Sequence, residues 1–541
     1  MKDRAPLLTL TLLALGAVLA EGQSPAASAD WPSYNRTLTS ERFAALSQIN
    51  AGNVARLKVL CTYDTGRMVS FQSGLIQVDG QLIGTTTKEI FSLNPNTCHE
   101  NWRTFEDYVP ANTLNVNRGA GYLAGRLFRG TQDGRVLAYD AKTGRRLWAT
   151  QIADPRQTET VPAAPIAWNG LVFIGNAGGD NKGVKGRVYA LDAADGHIVW
   201  ETYLVPKSAG DPTRGPNAPL PPKLAASWSN AADVPITGGG NWTSYSLDPR
   251  AGTLYVPGGN PAPDFARALR PGVNLFTGSV VALDARTGSY RADYPMVKED
   301  FHDWDVSGAP TLITSRAGRH LLIGAPKDGQ LYGFDRASGQ QLYQTAVTTV
   351  LNPTVPLTAS GTRFCPGSQG GAEWNGPAYD PQTNLVLTGE VDWCWTVKLA
   401  PDAKIKSVAE GQPWTGNDSD DPARGFGFAD STDRWSGRFT ATDADTGQVR
   451  WRFRTPTPIL SGVTPTGGGV VFFGDMGGTL YALDSARGKA LWSRKIGGAI
   501  GGGVITYDSG AGQRVAVATG MTSSIWPTEK TTAKVVVLGL R

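Results

Sequence analysis

The feature that most restricts how this chain can fold is a motif that returns seven times. It reads aromatic or apolar residue, two residues, Asp, three residues, Gly, three residues, then Trp or a substitute. Leu137-Ala-Tyr-Asp140 leads to Gly144 and Trp148, and Tyr189-Ala-Leu-Asp192 leads to Gly196 and Trp200. Further copies place Asp335 before Gly339 and Tyr343, Asp443 before Gly447 and Trp451, and Asp484 before Gly488 and Trp492. Two copies are degraded: Asn94 to Trp102 has Cys98 in the glycine slot, and Asp284 with Gly288 ends on Ala292. Asp and Gly make a tight turn between two strands, and the Trp packs against a neighbour. Upstream of each copy lie two more strand-like runs, such as Pro165–Trp168 and Leu171–Gly175 ahead of Asp192. Each unit is therefore four strands, one blade of a β-propeller.

The wide gaps before Asp284 and Asp443 each hold one unit's first strands plus an insertion. Those strands are Trp242–Pro249 with Leu254–Gly258, and Trp374–Pro381 with Leu385–Gly389. After Trp492 come Gly503–Tyr507, Arg514–Thr519 and Lys534–Leu540, and Leu57–Tyr63 near the start can supply the missing fourth strand. The expectation is an all-β, eight-bladed propeller of four-stranded antiparallel blades, closed by N- and C-terminal strands so that no edge is left free. The Pro- and Asp-rich insertions at 201–236 and 395–430 are expected to roof one face and its pocket.

Composition agrees with many short strands and turns: 541 residues carry Gly 66, Pro 35 and Trp 16 but only Met 5. The formal charge of +4 comes without a dense Lys/Arg run, which argues against nucleic acid as a partner. Lys2 and Arg4 precede the apolar run Leu7–Ala20, and Ala27-Ser28-Ala29 reads as a small-residue cleavage site, with a cut after Ala20 as the alternative. Residues 1–29 are thus read as a signal peptide and 30–541 as one domain. No later stretch reaches about 18 apolar residues, so no membrane span is expected and the mature protein is periplasmic or secreted. An exported chain keeps disulfides. Nearness in sequence favours Cys61 with Cys98 and Cys365 with Cys394, one of three possible pairings.

Residues 238–327 concentrate the chemistry. They contain Gly-Gly-Gly-Asn-Trp (238–242), Gly-Gly-Asn-Pro-Ala-Pro (258–263), His-Asp-Trp-Asp (302–305) and Ala-Pro-Lys-Asp-Gly (325–329), each at the rim of a short apolar run. Together they offer a flat aromatic face, a neutral oxygen ligand, a carboxylate and a cation, a set suited to a planar, anionic, metal-bound cofactor.

With these motifs in order, the chain resembles the pyrroloquinoline quinone (PQQ)-dependent alcohol dehydrogenases. The resemblance covers nearly all of the chain after the leader, from Asp30-Trp-Pro-Ser-Tyr-Asn35 through Val116-Asn-Arg-Gly119 to Val504-Ile-Thr-Tyr507. The run Trp374–Pro381 followed by Asp392-Trp-Cys394 is most similar to the polyvinyl-alcohol-dehydrogenase-like branch. Members of that branch often carry a cytochrome c domain. This sequence has no Cys-x-x-Cys-His, so the resemblance implies a separate electron acceptor such as a soluble cytochrome c.

The resemblance also implies roles. Asp305 would be the general base that takes the alcohol proton while hydride moves to the quinone, with Asp303 an ordinary loop carboxylate that a mutant scan could confuse with it. Asn260 would be the amide ligand of a calcium ion, and Asp305 would border it. Asp180 falls where the family has Glu, and an Asx turn is its bland alternative. Lanthanide-using members carry a further Asp where this chain has Ser307, which favours calcium. Trp242 would be the floor under the cofactor, and Arg118 and Lys327 would neutralise its oxygens, Lys327 polarising the developing oxyanion. Gln72, Gly178, Gly179 and Trp526 are further cofactor-site carry-overs. Three family features are missing: the adjacent cysteine pair falls at Asn112-Thr113, a Thr at Pro162 and a ring-plane Trp at Leu460. The competing reading is a non-catalytic propeller scaffold of the envelope, which has no reason to keep Asn260, Asp305 and Lys327 together. A carboxylate-and-metal hydrolase has no motif in its favour.

Overall fold

A computed structural model describes residues 30–111 and 113–540. The signal-peptide reading at 1–29 and one half of the replaced cysteine pair, Asn112, lie outside the described residues. Short strands dominate because the sequence alternates four- to eight-residue apolar runs with Asp/Gly turns. Among the described residues they assemble into eight four-stranded antiparallel sheets, with one extra two-stranded and one extra three-stranded sheet. Seven of the four-stranded sheets add their strands in chain order over 76–105, 121–151, 166–203, 246–295, 311–346, 378–455 and 464–495, with strands of the two small sheets intervening in 246–295 and 378–455. The eighth joins Val504–Asp508, Gln513–Thr519 and Lys534–Gly539 to Lys58–Asp64, the N-terminal strand pairing with the C-terminal one.

The repeat motif explains how each sheet turns and what it touches. In all seven sheets that follow chain order, the register slips by one residue where the third strand meets the fourth, just before the motif's Asp or Asn. This bulge adds twist just ahead of the turn. The turn then closes on the Asp: Asp140 accepts the Thr143 backbone N–H at 2.8 Å, and Gly144 N–H returns to the Asp140 carbonyl at 2.9 Å. The motif Trp reaches the next sheet. Trp102, Trp148 and Trp200 donate their indole N–H to the carbonyls of Ala141, Ala193 and Ala285 at 3.1–3.2 Å. Each indole also covers the next motif glycine, so closely that a Cβ on Gly144 would lie 2.4 Å from Trp102. After the degraded copy that ends on Ala292, the next glycine, Gly339, has nothing within 4 Å of such a Cβ. Where Cys98 replaces the glycine, the Cys61–Cys98 disulfide joins the terminal sheet to the first one. Cys365–Cys394 is also formed, and no described cysteine is free.

The core is a series of layers between adjacent sheets. Phe173 and Val188 pack on Leu254, Val256 and Val281, and Ile313, Leu321 and Ile323 pack on Tyr379 and Val386. Such layers bury both faces of the inner strands, while fourth strands such as Arg146–Gln151 alternate toward solvent.

Residues 31–49, a strap with almost no regular structure, bind the first strands of five of the sheets. Trp31 pairs with Gln77, and the strap carbonyls of Leu38, Thr39 and Glu41 accept the N–H groups of Leu247, Leu312 and Tyr379 at 2.7–2.9 Å. Ala44 N–H reaches Pro465 O at 3.0 Å, and Ile49 N–H reaches Gln513 Oε1 at 2.8 Å. First strands have no ladder partner on their inner side, and buried backbone groups must be paired, so the strap satisfies what the sheets cannot. Buried Arg42 fixes it through Val463 O, Asn35 Oδ1 and the Trp31 ring.

The insertions differ from the expectation of two roofing loops. Residues 201–203 complete the strand Ile198–Tyr203, and the rest of 201–236 folds against 270–276, with Asn274 N–H on Ser227 O and the Trp228 indole N–H on Leu275 O. Residues 395–430 form a small sheet with Thr362–Phe364 and a helix, Asp402–Lys406.

Candidate active site

The motifs of 238–327 meet because glycines let their backbones touch. Gly238 pairs with Pro261, Gly239 N–H donates to Asn260 O at 2.9 Å, and Gly259 N–H to Gly240 O at 3.1 Å. A Cβ on Gly179 would lie 2.9 Å from Gly240 N, and one on Gly259 would lie 2.9 Å from Asp305 Oδ1. Only glycine fits such approaches, and the result is that Asp180, Trp242, Asn260 and Asp305 share one neighbourhood.

Asp305 is held at both oxygens. Oδ1 accepts the Asn260 backbone N–H at 2.7 Å, Oδ2 lies 2.9 Å from Lys327 Nζ, and the Asp305 carbonyl accepts Lys327 N–H at 3.0 Å. Lys327 has its three donors in use, on Asp305 Oδ2, Asp303 Oδ2 at 3.1 Å and Asp303 O at 3.3 Å. Burial pulls the Lys327 ammonium down, but Asp303 and Asp305 outweigh it and hold the group well above its usual range. Asp303, expected as an ordinary loop carboxylate, is buried and charge-paired, and burial drives its carboxyl well above the usual range. Asp180 is pushed up to about 6, first by burial and then by Asp305, against Lys327 and the Asn260 side chain. One oxygen each of Asp180, Asp264 and Asp303 lies within 4.8 Å of the others. Ser307 turns away and donates to Ala372 O at 2.6 Å.

Asp180, Asp303, Asp305 and Lys327 border a cavity of about 490 Å³. Of the expected residues, Gln72, Arg118, Asp180, Trp242, Asp305, Lys327 and Trp526 line it. Asn260 lies just behind the wall on Asp305, and Gly178 and Gly179 serve as backbone behind Asp180 rather than as lining. Trp242 is half-buried with one face on the cavity side; Arg118 stacks between it and Trp374, its guanidinium carbon 4.8 Å and 4.2 Å from the two rings. Arg118 also donates to Trp242 O at 2.9 Å, and burial pulls it down to about 10. The roof comes from Pro413 and Phe426 of the second insertion, from 113–116 and from 522–526; residues 201–236 contribute nothing to the wall. Leu460, in the place of a ring-plane Trp, is fully buried in the cluster that holds Trp374 and Trp526.

Sequence reasoning missed Glu373, Trp374 and Asp264. Glu373 lines the cavity with Oε1 unpartnered, and burial raises it to about 7. Its signal was an isolated carboxylate before Trp374 in an otherwise uncharged run.

The family model for the glucose/ethanol/alcohol dehydrogenase β-propeller domain, a PQQ domain, matches residues 31–356, more than half of the chain. The chain belongs to the PQQ-dependent alcohol dehydrogenase family. A second model, that of the outer membrane protein assembly factor BamB, matches residues 436–536. The chain is 29% identical to the quinohemoprotein alcohol dehydrogenase ADH IIB of Pseudomonas putida, over 96% of this chain and 78% of that protein. It is 30% identical to the dehydrogenase subunit of the quinone alcohol dehydrogenase of Acetobacter aceti, over 91% and 71%. Among solved structures, a europium-containing methanol dehydrogenase superposes with a TM-score of 0.81 at 25% identity, over 96% of this chain and 99% of that one. The fold is thus an all-β propeller of the quinoprotein oxidoreductases.

The residues of this family member fit the cofactor its family uses. Of the lining residues, Arg118 Nη1, Gln72 Oε1 and Glu373 Oε1 are buried without a hydrogen-bond partner. Buried polar atoms are nearly always paired, so a wall of unpaired ones suits a polar occupant. An indole face flanked by Arg118 and Lys327 suits a flat polyanion, and carboxylates beside an amide suit a hard cation.

Proposed function

We propose that this chain is an exported PQQ-dependent dehydrogenase that oxidises an alcohol to an aldehyde or ketone. The observation that carries the reading is the convergence of Asp180, Asp305 and Lys327 on one cavity beside Trp242, with Asn260 bonded to Asp305 just behind its wall. The eight four-stranded sheets are read as eight blades of one ring, closed where Lys58–Asp64 joins Lys534–Gly539.

PQQ, bound with calcium as Lewis acid, supplies the hydride acceptor for the alcohol carbon. Trp242 would supply the apolar floor for it, Arg118 and Lys327 would neutralise its anionic oxygens, and Gln72 and Trp526 would complete the wall. Asp180 and Asn260 would hold the metal, with Asp305 bordering it. Asp305 takes the hydroxyl proton, because each of its oxygens has one lone pair committed, to Asn260 N–H or Lys327, and one left for substrate. Lys327 holds that carboxylate in place, with Nζ 2.9 Å from its Oδ2. Of its three contacts the 3.3 Å one to Asp303 O is the longest, and it is the one to yield when Lys327 polarises a developing oxyanion. The second insertion, through Pro413 and Phe426, limits which alcohols enter. The Trp374–Pro381 run keeps the polyvinyl-alcohol-dehydrogenase-like branch as the reading for the subfamily, with electrons leaving to a separate acceptor such as a soluble cytochrome c.

The test is reconstitution of purified protein with PQQ and Ca²⁺, following dye reduction by primary, secondary and polymeric alcohols. Cofactor-dependent turnover is expected. Absence of turnover, with no change in absorbance or melting on adding cofactor, would return the chain to the scaffold reading suggested by its BamB-like repeats.

A further inference from the structure

We infer that Asp264 is a metal-binding carboxylate of this site, standing with Asp180 and Asp303, and that it gives the site a preference for trivalent over divalent hard cations. The inference rests on the metal-dependent reading above.

Asp264 lies four residues after Asn260, at the end of Asn-Pro-Ala-Pro-Asp, and is 0% exposed. Neither of its carboxylate oxygens has a hydrogen-bond partner, yet one of them is within 4.8 Å of oxygens from Asp180 and Asp303. The chain holds this arrangement in place rather than relieving it. Phe265 N–H is tied to Thr415 O at 2.8 Å, and Arg270 spends its guanidinium on backbone: Pro263 O at 3.0 Å, Asp264 O at 2.8 Å and Asp300 O at 2.7 Å, with Asn274 Oδ1 at 3.0 Å. Arg270 therefore anchors the loop that carries Asp264 without pairing with its carboxylate.

A merely structural acid would answer the same burial by protonating. A neutral carboxyl group still needs an acceptor for its O–H, and Asp264 has no partner of either kind. Lys327 cannot serve, since its three donors are committed to Asp303 and Asp305. What completes the set is a cation from outside. Ser307 argues for calcium by withholding one carboxylate; Asp264 supplies another from a different loop. Four carboxylates, Asp180, Asp264, Asp303 and Asp305, face the Lys327 ammonium, with the Arg270 guanidinium the other cation near Asp264. The carboxylates still outnumber the cations, and more negative ligands favour the more highly charged ion.

The experiment uses chelator-treated full-length protein titrated separately with Ca²⁺ and Tb³⁺, by calorimetry and by terbium luminescence, without reference to turnover. Wild type is expected to bind one ion per chain, Tb³⁺ about 100-fold more tightly than Ca²⁺, and Asp264→Asn to remove about 30-fold or more of the Tb³⁺ affinity but under about tenfold of the Ca²⁺ affinity. A folded Asp264→Asn that binds both ions as wild type does overturns this inference and leaves the proposed function standing. Wild type that binds neither ion, with or without PQQ, overturns both. If the variant does not fold, anomalous scattering from a Tb³⁺-soaked wild-type crystal decides: an Asp264 oxygen at about 2.3–2.6 Å from the ion supports the inference. An ion held by Asp180 and Asn260 with Asp264 outside its shell sinks it.

Discussion

The aspartates of the repeat turns and those of the cavity carry one side chain in opposite circumstances. Asp140 and Asp335 are solvated at hairpin turns, and hydrogen bonds from Thr143 and Ser338 hold their carboxyls below the usual range. Asp264 and Asp303 are buried, crowded by like charges and held far above that range by desolvation. The first kind lowers the energy of the fold by satisfying backbone donors. The second kind raises it, and is tolerated only because rigid sheets surround it. The repeat is thus the part of the molecule that stabilises, and 238–327 the part that it holds in a costly arrangement.

The sharpest way to break this contrast is to exchange one aspartate of each kind. Asp305→Asn keeps the shape but removes the base, and turnover of reconstituted enzyme is expected to fall by about 10²–10⁴-fold. PQQ still binds, and melting stays level or rises because the crowding of carboxylates is relieved. Asp140→Asn should do the reverse, leaving turnover intact while lowering stability by roughly 1 kcal/mol or less. Undiminished turnover in Asp305→Asn would move the base to Asp303, the other partner of Lys327.

A smaller effect is expected at Asp180. Its replacement by Ala removes one carboxylate from the metal cluster but leaves Asp264, Asp303 and Asn260, so the calcium needed for half-maximal activity should rise about 10–100-fold without abolishing turnover at saturation. An unchanged requirement would make Asp180 a turn residue like Asp140, and the contrast between the two sets would then be one of burial alone.

Much of this organisation was legible before any coordinates, for reasons that are local. The turn copies announce themselves because Asp, Gly and Trp each have a side-chain reason to stand where they do. Asp305, Asn260 and Lys327 were singled out through ordered motifs, and the fold brings them to one neighbourhood. The strap 31–49 was not found, because it works through backbone carbonyls, which leave no side-chain signature. Asp264 and Glu373 were passed over for a related reason: in one dimension a carboxylate after a proline or before a tryptophan looks like surface. Its meaning comes from burial and from which other carboxylates the sheets bring near it. Residues 201–236 looked like the other insertion in composition, and composition does not say which way a loop folds.

The smallest expected effect tests the stabilising half of the comparison, and the chain supplies its own control. Gly144 and Gly339 occupy the same motif position with φ of 70° and 72°. Adding a methyl group to either costs the same left-handed strain, about 1–2 kcal/mol. At Gly339 the new Cβ meets nothing, because the preceding copy ends on Ala292. At Gly144 it would come 2.4 Å from the Trp102 ring, which is pinned by its hydrogen bond to Ala141 O. Gly144→Ala should therefore destabilise by about 1–3 kcal/mol more than Gly339→Ala, read as a lower urea midpoint, with turnover unchanged below it in both. Restoring a Trp at the degraded position, Ala292→Trp, should then make Gly339→Ala as costly as Gly144→Ala. If the two glycine variants unfold alike from the outset, the indole contributes nothing at that junction, and the stability of the repeats must come from the apolar layers between the sheets instead.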